Sequence, residues 1–238
     1  MIAPAMAYKL VCEVRILKDA TSVSTASEFS RQIHEIFQQR RPTRIIETGT
    51  FEGTGTTAII GSAIKSAGIQ GAEFFSIEVD PEHLETARRN VQEKGIDVRL
   101  KLGLSIPRRL LLTKQQIHQQ YVLRVVDGIH VDFSEHDRAR RYFQETDFPD
   151  VPDDVLGELL AYFSYQPHFV LLDSAGHLGY VEFQYVIGRL KGPCVLALDD
   201  TKHVKHFESV LKIKADARFK VLAESDERFG FCIAEFNP

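Results

Sequence analysis

Three aspartates fall where short apolar runs end: Asp173 closes "HFVLLD", and Asp199 with Asp200 closes "PCVLALDD". If those runs are neighbouring parallel strands, the carboxylates converge. Like charges that close raise at least one pKa unless a cation shares them. An all-oxygen set of this kind suits Mg2+ or Ca2+ rather than zinc. His203 and His206, three residues apart and within reach of Asp200, offer nitrogen ligands that would shift the choice toward iron, manganese or zinc. The competing reading of that stretch, "KHVKH", is a solvated helix start. His177, four residues after Asp173, is a candidate general base, a role that requires hydrogen-bond reach to the acceptor.

A second constellation lies upstream in "IIETGTFEGTGTT", residues 45–57. A phosphate-cradling loop needs a lysine after its last glycine, and residues 49–57 contain none. A dinucleotide fingerprint forced onto Gly53 and Gly55 leaves "GTFE" unexplained, because that fingerprint begins at the strand end. What remains is an acid and three glycines, Glu47, Gly49, Gly53 and Gly55, with Thr50 and Phe51 in the turn between them. One strand-helix unit later, "FFSIEVDPEH" puts Glu78 at a strand tip, where a carboxylate can accept both hydroxyl hydrogens of a ribose. Asp80 competes for that role, but it precedes Pro81 and suits a helix cap. The next run, "VRLKLG", leads into Gly103, Leu104 and Ser105; Ser105 has a competing reading as the cap of a following helix.

The elements that must position these groups follow from hydrophobic patterning. From Arg44 onward, apolar runs alternate with longer helical stretches, which predicts a doubly wound, mostly parallel α/β sheet with helices on both faces. The final runs, "FKVLAE" and "FGFCIAEF", are joined by residues 225–228 only, too short for a crossover, so the seventh strand is antiparallel. Ahead of the repeat, residues 1–40 carry a short strand in "YKLVCEVRIL" and a helix that a Thr25/Glu28 capping box would start. Between the third and fourth strands, residues 106–166 are an insertion longer than a compact connection needs. Residues 127–158 of it hold seven Asp and three Glu against three Arg, so an acidic lid or substrate wall competes with a dimer-forming appendage. We read 1–238 as a single domain.

Composition narrows the classes. With 44% hydrophobic and 26% charged residues, the chain can bury a core, and a net charge of −4 gives no basic footprint for nucleic acid. Cys12, Cys194 and Cys232 are few, odd in number and set among apolar neighbours, the pattern of reduced core thiols. No apolar run approaches the ~20 residues of a spanning helix. The expectation is a cytoplasmic protein with small-molecule partners, no nucleic acid and no membrane, with a homodimer allowed.

The E-x-G-x-x-x-G-x-G pattern at Glu47, Gly49, Gly53 and Gly55, followed by Glu78, resembles the class I S-adenosylmethionine-dependent methyltransferases. "IEVDPEH" and the aspartates are similar to catechol O-methyltransferase and related bacterial small-molecule O-methyltransferases. The resemblance implies a Rossmann-like fold, S-adenosyl-L-methionine as cofactor, and methyl transfer to a hydroxyl oxygen of a small molecule, assisted by Mg2+. It implies cofactor contacts at Glu47, Gly49, Thr50, Phe51, Gly53, Gly55, Glu78, Gly103, Leu104, Ser105 and Asp173. It further implies metal ligation by Asp173, Asp199 and Asp200, and catalysis by Asp173 and His177. The glycines at 49 and 53 would let the backbone approach the cofactor's amino-acid end. One departure stands out: catechol O-methyltransferase uses a lysine after the fourth strand, and Ser174 to His177 contains none. A metal-dependent oxygenase on the same scaffold, or a noncatalytic binding module, are the rival readings.

Overall fold

The computed structural model describes residues 26–121, 128–174 and 176–238. The strand read in residues 8–17, Cys12 and Thr25 lie outside them. The first described helix, α1 (Glu28–Arg40), is capped by Ser27, whose Oγ accepts from the Ser30 N–H at 3.1 Å. Ser27, with its oxygen three residues ahead of that amide, satisfies an orphan donor of the first turn, the work expected of Thr25.

Among the described residues, seven strands form one sheet: β1 (Arg44–Thr48), β2 (Glu73–Glu78), β3 (Arg99–Leu102), β4 (Phe169–Leu172), β5 (Cys194–Asp199), β6 (Phe219–Ser225) and β7 (Phe231–Phe236). Their order is β3-β2-β1-β4-β5-β7-β6, parallel from β3 to β5, with β7 antiparallel to both neighbours. The antiparallel seventh strand is the one expected from the short β6–β7 connection.

Successive strand residues feed opposite layers, as the period of two requires. Ile45, Phe169 and Leu171 pack beneath α1 and α2 (Thr56–Ser66), against Phe37, Ile59 and Ile60. Ile46, Val170 and Leu172 face the other way, toward α6 (Val155–Tyr162) and α7 (Gly179–Ile187), against Leu156, Phe183 and Val186. Each such side chain is fully buried, a contribution of about 1.5–3 kcal/mol apiece. This two-sided burial makes the strand ends rigid platforms.

The remaining helices are α3 (Pro81–Glu93), α4 (Lys114–Tyr121), α5 (Glu135–Gln144) and α8 (Phe207–Ala215). Asp80 caps α3 as expected, its Oδ1 accepting from Glu82 N–H at 2.8 Å, with Pro81 in the first turn. The insertion supplies α4, α5 and α6, of which α6 packs on the sheet as an ordinary crossover helix. Strand order reverses between β1 and β4, so a crevice opens at their carboxyl ends. None of the described helices is long and apolar enough to cross a membrane.

Candidate active site

A cavity of about 690 Å³ occupies that crevice. One side is built by the loop after β1. Gly49 (φ +83°), Phe51 (φ +50°) and Gly53 (φ +71°) all have left-handed backbone, turning the chain sharply into α2. The amides of Gly49 and Thr50 both donate to the Ile77 carbonyl, at 3.0 and 3.1 Å, which ties the loop to β2. Gly49, Thr50, Phe51 and Gly55 line the cavity.

The glycines at 49 and 53 also answer to packing. A Cβ on Gly49 would collide with the Asp173 carbonyl, and one on Gly53 would meet Val91 Cγ1 at 3.1 Å and the Ala87 Cβ at 3.3 Å. That space is taken by the turn after β4 and by α3; Gly49 still lines the cavity, whereas Gly53 does not. Glu47 also differs: it is fully buried beneath the loop, outside the cavity lining. Its Oε2 accepts from the Thr57 and Ser76 hydroxyls, each at 2.6 Å, and Ser76 Oγ lies 2.5 Å from Thr50 Oγ1. Burial pushes its carboxyl up to about 7. Glu47 therefore pins loop, α2 and β2 together from below.

Glu78 stands at the tip of β2, faces the cavity and is 7% exposed. Its Oε2 accepts from Phe51 N–H at 2.6 Å, and its Oε1 from Val79 and Asp80 N–H at 2.9 and 3.0 Å. A carboxylate offers about four acceptor sites, so backbone donors orient it and leave capacity for a ligand hydroxyl. Gly103, Leu104 and Ser105 line the same side. Ser105 caps no helix; its hydroxyl donates to Glu182, a buried carboxylate on α7 that also accepts from Thr48 at 3.0 Å and Ser174 at 2.7 Å.

The three aspartates converge as their strand positions require, with oxygens within 4.8 Å of one another. A cation is already among them. Lys205 Nζ lies 2.5 Å from Asp173 Oδ1 and 2.8 Å from Asp200 Oδ2, and Lys205 is 5% exposed. Burial alone would push its ammonium down, but Asp173, Asp200 and Asp199 outweigh it and its pKa stands well above the usual value. Burial raises Asp173 to about 6 against the pull of Lys205, and burial with two neighbouring acids lifts Asp199 well above its ordinary range. Burial pushes Asp200 up too, yet Lys205 prevails and holds it below its ordinary range. With an ammonium bonded to two of the three carboxylates, the residues present do not fit a divalent ion there.

The solvated reading of "KHVKH" also fails. His203, Lys205 and His206 are all buried, and α8 starts only at Phe207, so the two histidines do not share a helical face. His206 Nε2 donates to the Leu172 carbonyl at 3.1 Å and its Nδ1 accepts from Ser209 Oγ at 3.2 Å, so both ring nitrogens are taken. Burial pushes its pKa down to about 3.

The insertion provides the opposite wall, through His130, Asp132, Phe133, Arg141 and Glu145. Backbone bonds from His130 N–H to the Lys202 carbonyl (2.8 Å) and Val204 N–H to the His130 carbonyl (3.1 Å) stitch it to the β5–α8 turn. His203 Nδ1 accepts from Lys205 N–H at 3.1 Å, so its Nε2 carries the proton that meets Asp132 Oδ2 at 2.9 Å. The buried Tyr142 hydroxyl accepts from Asp132 N–H at 2.9 Å. His177 lies outside the lining. It is 1% exposed, its Nδ1 has no partner, and burial pushes its pKa down to about 4. Its Nε2 lies 3.4 Å from Oγ1 of Thr146, a lining residue, so its own ring stands behind the cavity wall.

Lys205, Asp132 and Glu182 went unread in the sequence, and His203, read as a nitrogen ligand beside Asp200, is instead the partner of Asp132. Only Lys205 carried a signal, a lysine five residues beyond Asp200 in the turn off β5.

No protein-family model matches the sequence, and no curated protein matches it. Solved structures do. The O-methyltransferase from Bacillus cereus, in complex with SAH, superposes with a TM-score of 0.56 over 100% of this chain and 93% of its own, at 14% identity. A methyltransferase from Geobacter sulfurreducens gives 0.54 over 99% and 90%, at 12% identity. The O-methyltransferase TomG from Streptomyces achromogenes, involved in tomaymycin synthesis and in complex with SAM, gives 0.53 over 91% and 82%, at 13% identity. The class defined is one of fold: this chain has the Rossmann-like α/β fold of class I methyltransferases.

Proposed function

We propose that this protein transfers a methyl group from S-adenosylmethionine to a hydroxyl oxygen of a small molecule. The observation that carries this reading is Glu78: a carboxylate at the β2 tip, oriented by three backbone amides and facing a cavity large enough for a nucleoside and a second ligand. Its remaining acceptor capacity suits a ribose diol, and Gly103, Leu104 and Ser105 beside it suit a base. Asp173 at the β4 tip then lies toward the sulfonium end, where residual negative charge favours a cation. SAM- and SAH-bound neighbours of the same fold support the reading.

When bound, the donor supplies a methyl group activated by its positive sulfur; the C–S electron pair stays with sulfur as the new C–O bond forms. The chain's own work is alignment and proton removal. Holding two reactants in attack geometry is worth about 7–11 kcal/mol. The insertion wall of Asp132, Phe133 and Arg141 positions the acceptor. The hydroxyl proton passes to a cavity carboxylate, Asp173 or Asp132. His177, buried outside the cavity, has no part in this. The test is calorimetry with S-adenosylhomocysteine, with and without Mg2+, followed by transfer of a labelled methyl group to hydroxylated small molecules. Absence of any binding heat sinks the reading.

A second reading, a metal-dependent oxygenase, draws on His130, Asp132 and His203, whose ligand atoms lie within 4.8 Å of one another. Two histidines and a carboxylate are a set that binds iron(II). A ligating histidine normally donates its other ring N–H, whereas His203 Nδ1 accepts a backbone N–H. That bond leaves the proton on Nε2, the atom facing Asp132, so methyl transfer is the better supported reading.

A further inference from the structure

We infer that Lys205 is a built-in replacement for a divalent cation: its ammonium holds the Asp173–Asp199–Asp200 triangle together, so the site assembles without metal and excludes it.

Geometry carries this. The ammonium bonds two of the three aspartates, at 2.5 and 2.8 Å, and the third lies in the same cluster. The lysine's position is constructed rather than incidental. Its stem runs over Gly179, the first residue of α7, where a Cβ would come within 2.5 Å of Lys205 Cγ and 2.6 Å of its carbonyl oxygen. The backbone on one side is held by the Lys205 N–H bond to His203 Nδ1, and on the other by the His206 ring, fixed to the Leu172 carbonyl at the end of β4. Two buried histidines and a glycine thus serve to deliver one ammonium to one point.

A divalent ion and this ammonium cannot share the triangle. Like charges about 4 Å apart repel, and at the effective dielectric of protein sites that repulsion is worth at least about a hundredfold in affinity. An ammonium has three hydrogens; Asp173 and Asp200 take two. Lys205 also lines the cavity, so the third is available to an acceptor oxygen. That last step rests on the methyl-transfer reading; the exclusion of metal does not.

The experiment is Mg2+ titration by calorimetry of the full chain and of Lys205→Met, with S-adenosylhomocysteine titrated separately to test the cofactor reading. Mg2+ is chosen because an oxygen-only triangle binds it and the His130–Asp132–His203 group does not. The parent is expected to show no saturable Mg2+ heat and an S-adenosylhomocysteine affinity indifferent to chelators. Lys205→Met is expected to gain Mg2+ binding, at least about a hundredfold above any affinity of the parent, and to lose it again when Asp200→Asn is added. Saturable Mg2+ binding by the parent that Asp200→Asn abolishes overturns the proposal, whatever the variant does. A folded Lys205→Met with no gain in Mg2+ affinity overturns it as well. If Lys205→Met does not fold, the parent titration decides alone.

Discussion

Glu78 Oε2 and the Phe51 amide nitrogen lie 2.6 Å apart, so the carboxylate at the tip of β2 braces the loop that follows β1. The same group has capacity left for a ligand hydroxyl, which gives it two functions that one substitution removes together. Glu78→Ala is expected to weaken S-adenosylhomocysteine binding by more than about a hundredfold, because charge-assisted bonds are worth about 1.5–3 kcal/mol each and the loop loses its brace. Glu78→Gln keeps one acceptor oxygen and is expected to fall between Ala and parent. Calorimetry reads both; an unchanged affinity in Glu78→Ala removes the ribose assignment.

Gly49 shows how tightly the loop is packed. Its φ of +83° and the Asp173 carbonyl against its α-carbon leave no room for a methyl group. Gly49→Ala is expected to cost about 2–5 kcal/mol, from left-handed strain plus a clash with backbone that cannot move aside. Gly68→Ala is the control: its φ is +60° but a Cβ there meets nothing within 4 Å, so only about 1 kcal/mol of backbone strain is expected. Urea unfolding midpoints separate the two. Equal losses would mean that the Asp173 contact carries no weight.

The sheet was legible because apolar runs two-sidedly buried and spaced by helical stretches have few other arrangements. Glu78, Asp173, Asp199 and Asp200 were legible because a strand tip is a fixed place. Glu47 shows the limit of that logic: in a strand it shares a face with Ile45, so the period of two already points it under α2 rather than toward the crevice. Lys205 was illegible for another reason. Its burial depends on Asp173, 32 residues away in sequence, and on Gly179, and nothing in "KHVKH" announces partners brought by other strands. His177 failed because the turn after β4 has no periodicity from which to read where a side chain points.

Tyr142 tests whether the insertion wall is a built surface. It is fully buried, and its hydroxyl accepts the Asp132 N–H while lying 3.3 Å from His203 Nε2. Tyr142→Phe leaves that amide without its partner, at a cost of about 1–3 kcal/mol. The expected result is lower stability in urea with an unchanged S-adenosylhomocysteine affinity, because the donor side does not touch Tyr142. Faster amide hydrogen exchange at Asp132 would place the loss in the wall itself. A weakened donor affinity would mean instead that the two halves of the cavity are one cooperative unit.

Glu182 makes a pH-dependent prediction whose sign is set by its burial. It is fully buried, and desolvation, opposed by hydroxyl bonds from Ser105, Ser174 and Thr48, pushes its carboxyl from 4.5 up to about 7. The folded state therefore binds a proton more tightly than the unfolded chain. Its stabilising contribution is complete below about pH 4.5 and is lost as pH rises through about 7. The shift of about 2.5 units corresponds to about 3 kcal/mol. Glu182→Gln keeps the shape and cannot ionise, and the three hydroxyls can rotate to meet an amide. Glu47 and Glu145 are also raised to about 7 by burial, so the parent's whole profile mixes several groups, and the difference between parent and variant isolates one. Between about pH 5 and pH 8 the parent is expected to lose about 2.5 kcal/mol relative to Glu182→Gln, measured by urea unfolding at each pH. Parallel profiles would mean that Glu182 stays ionised in the folded protein, its three hydroxyl donors outweighing desolvation.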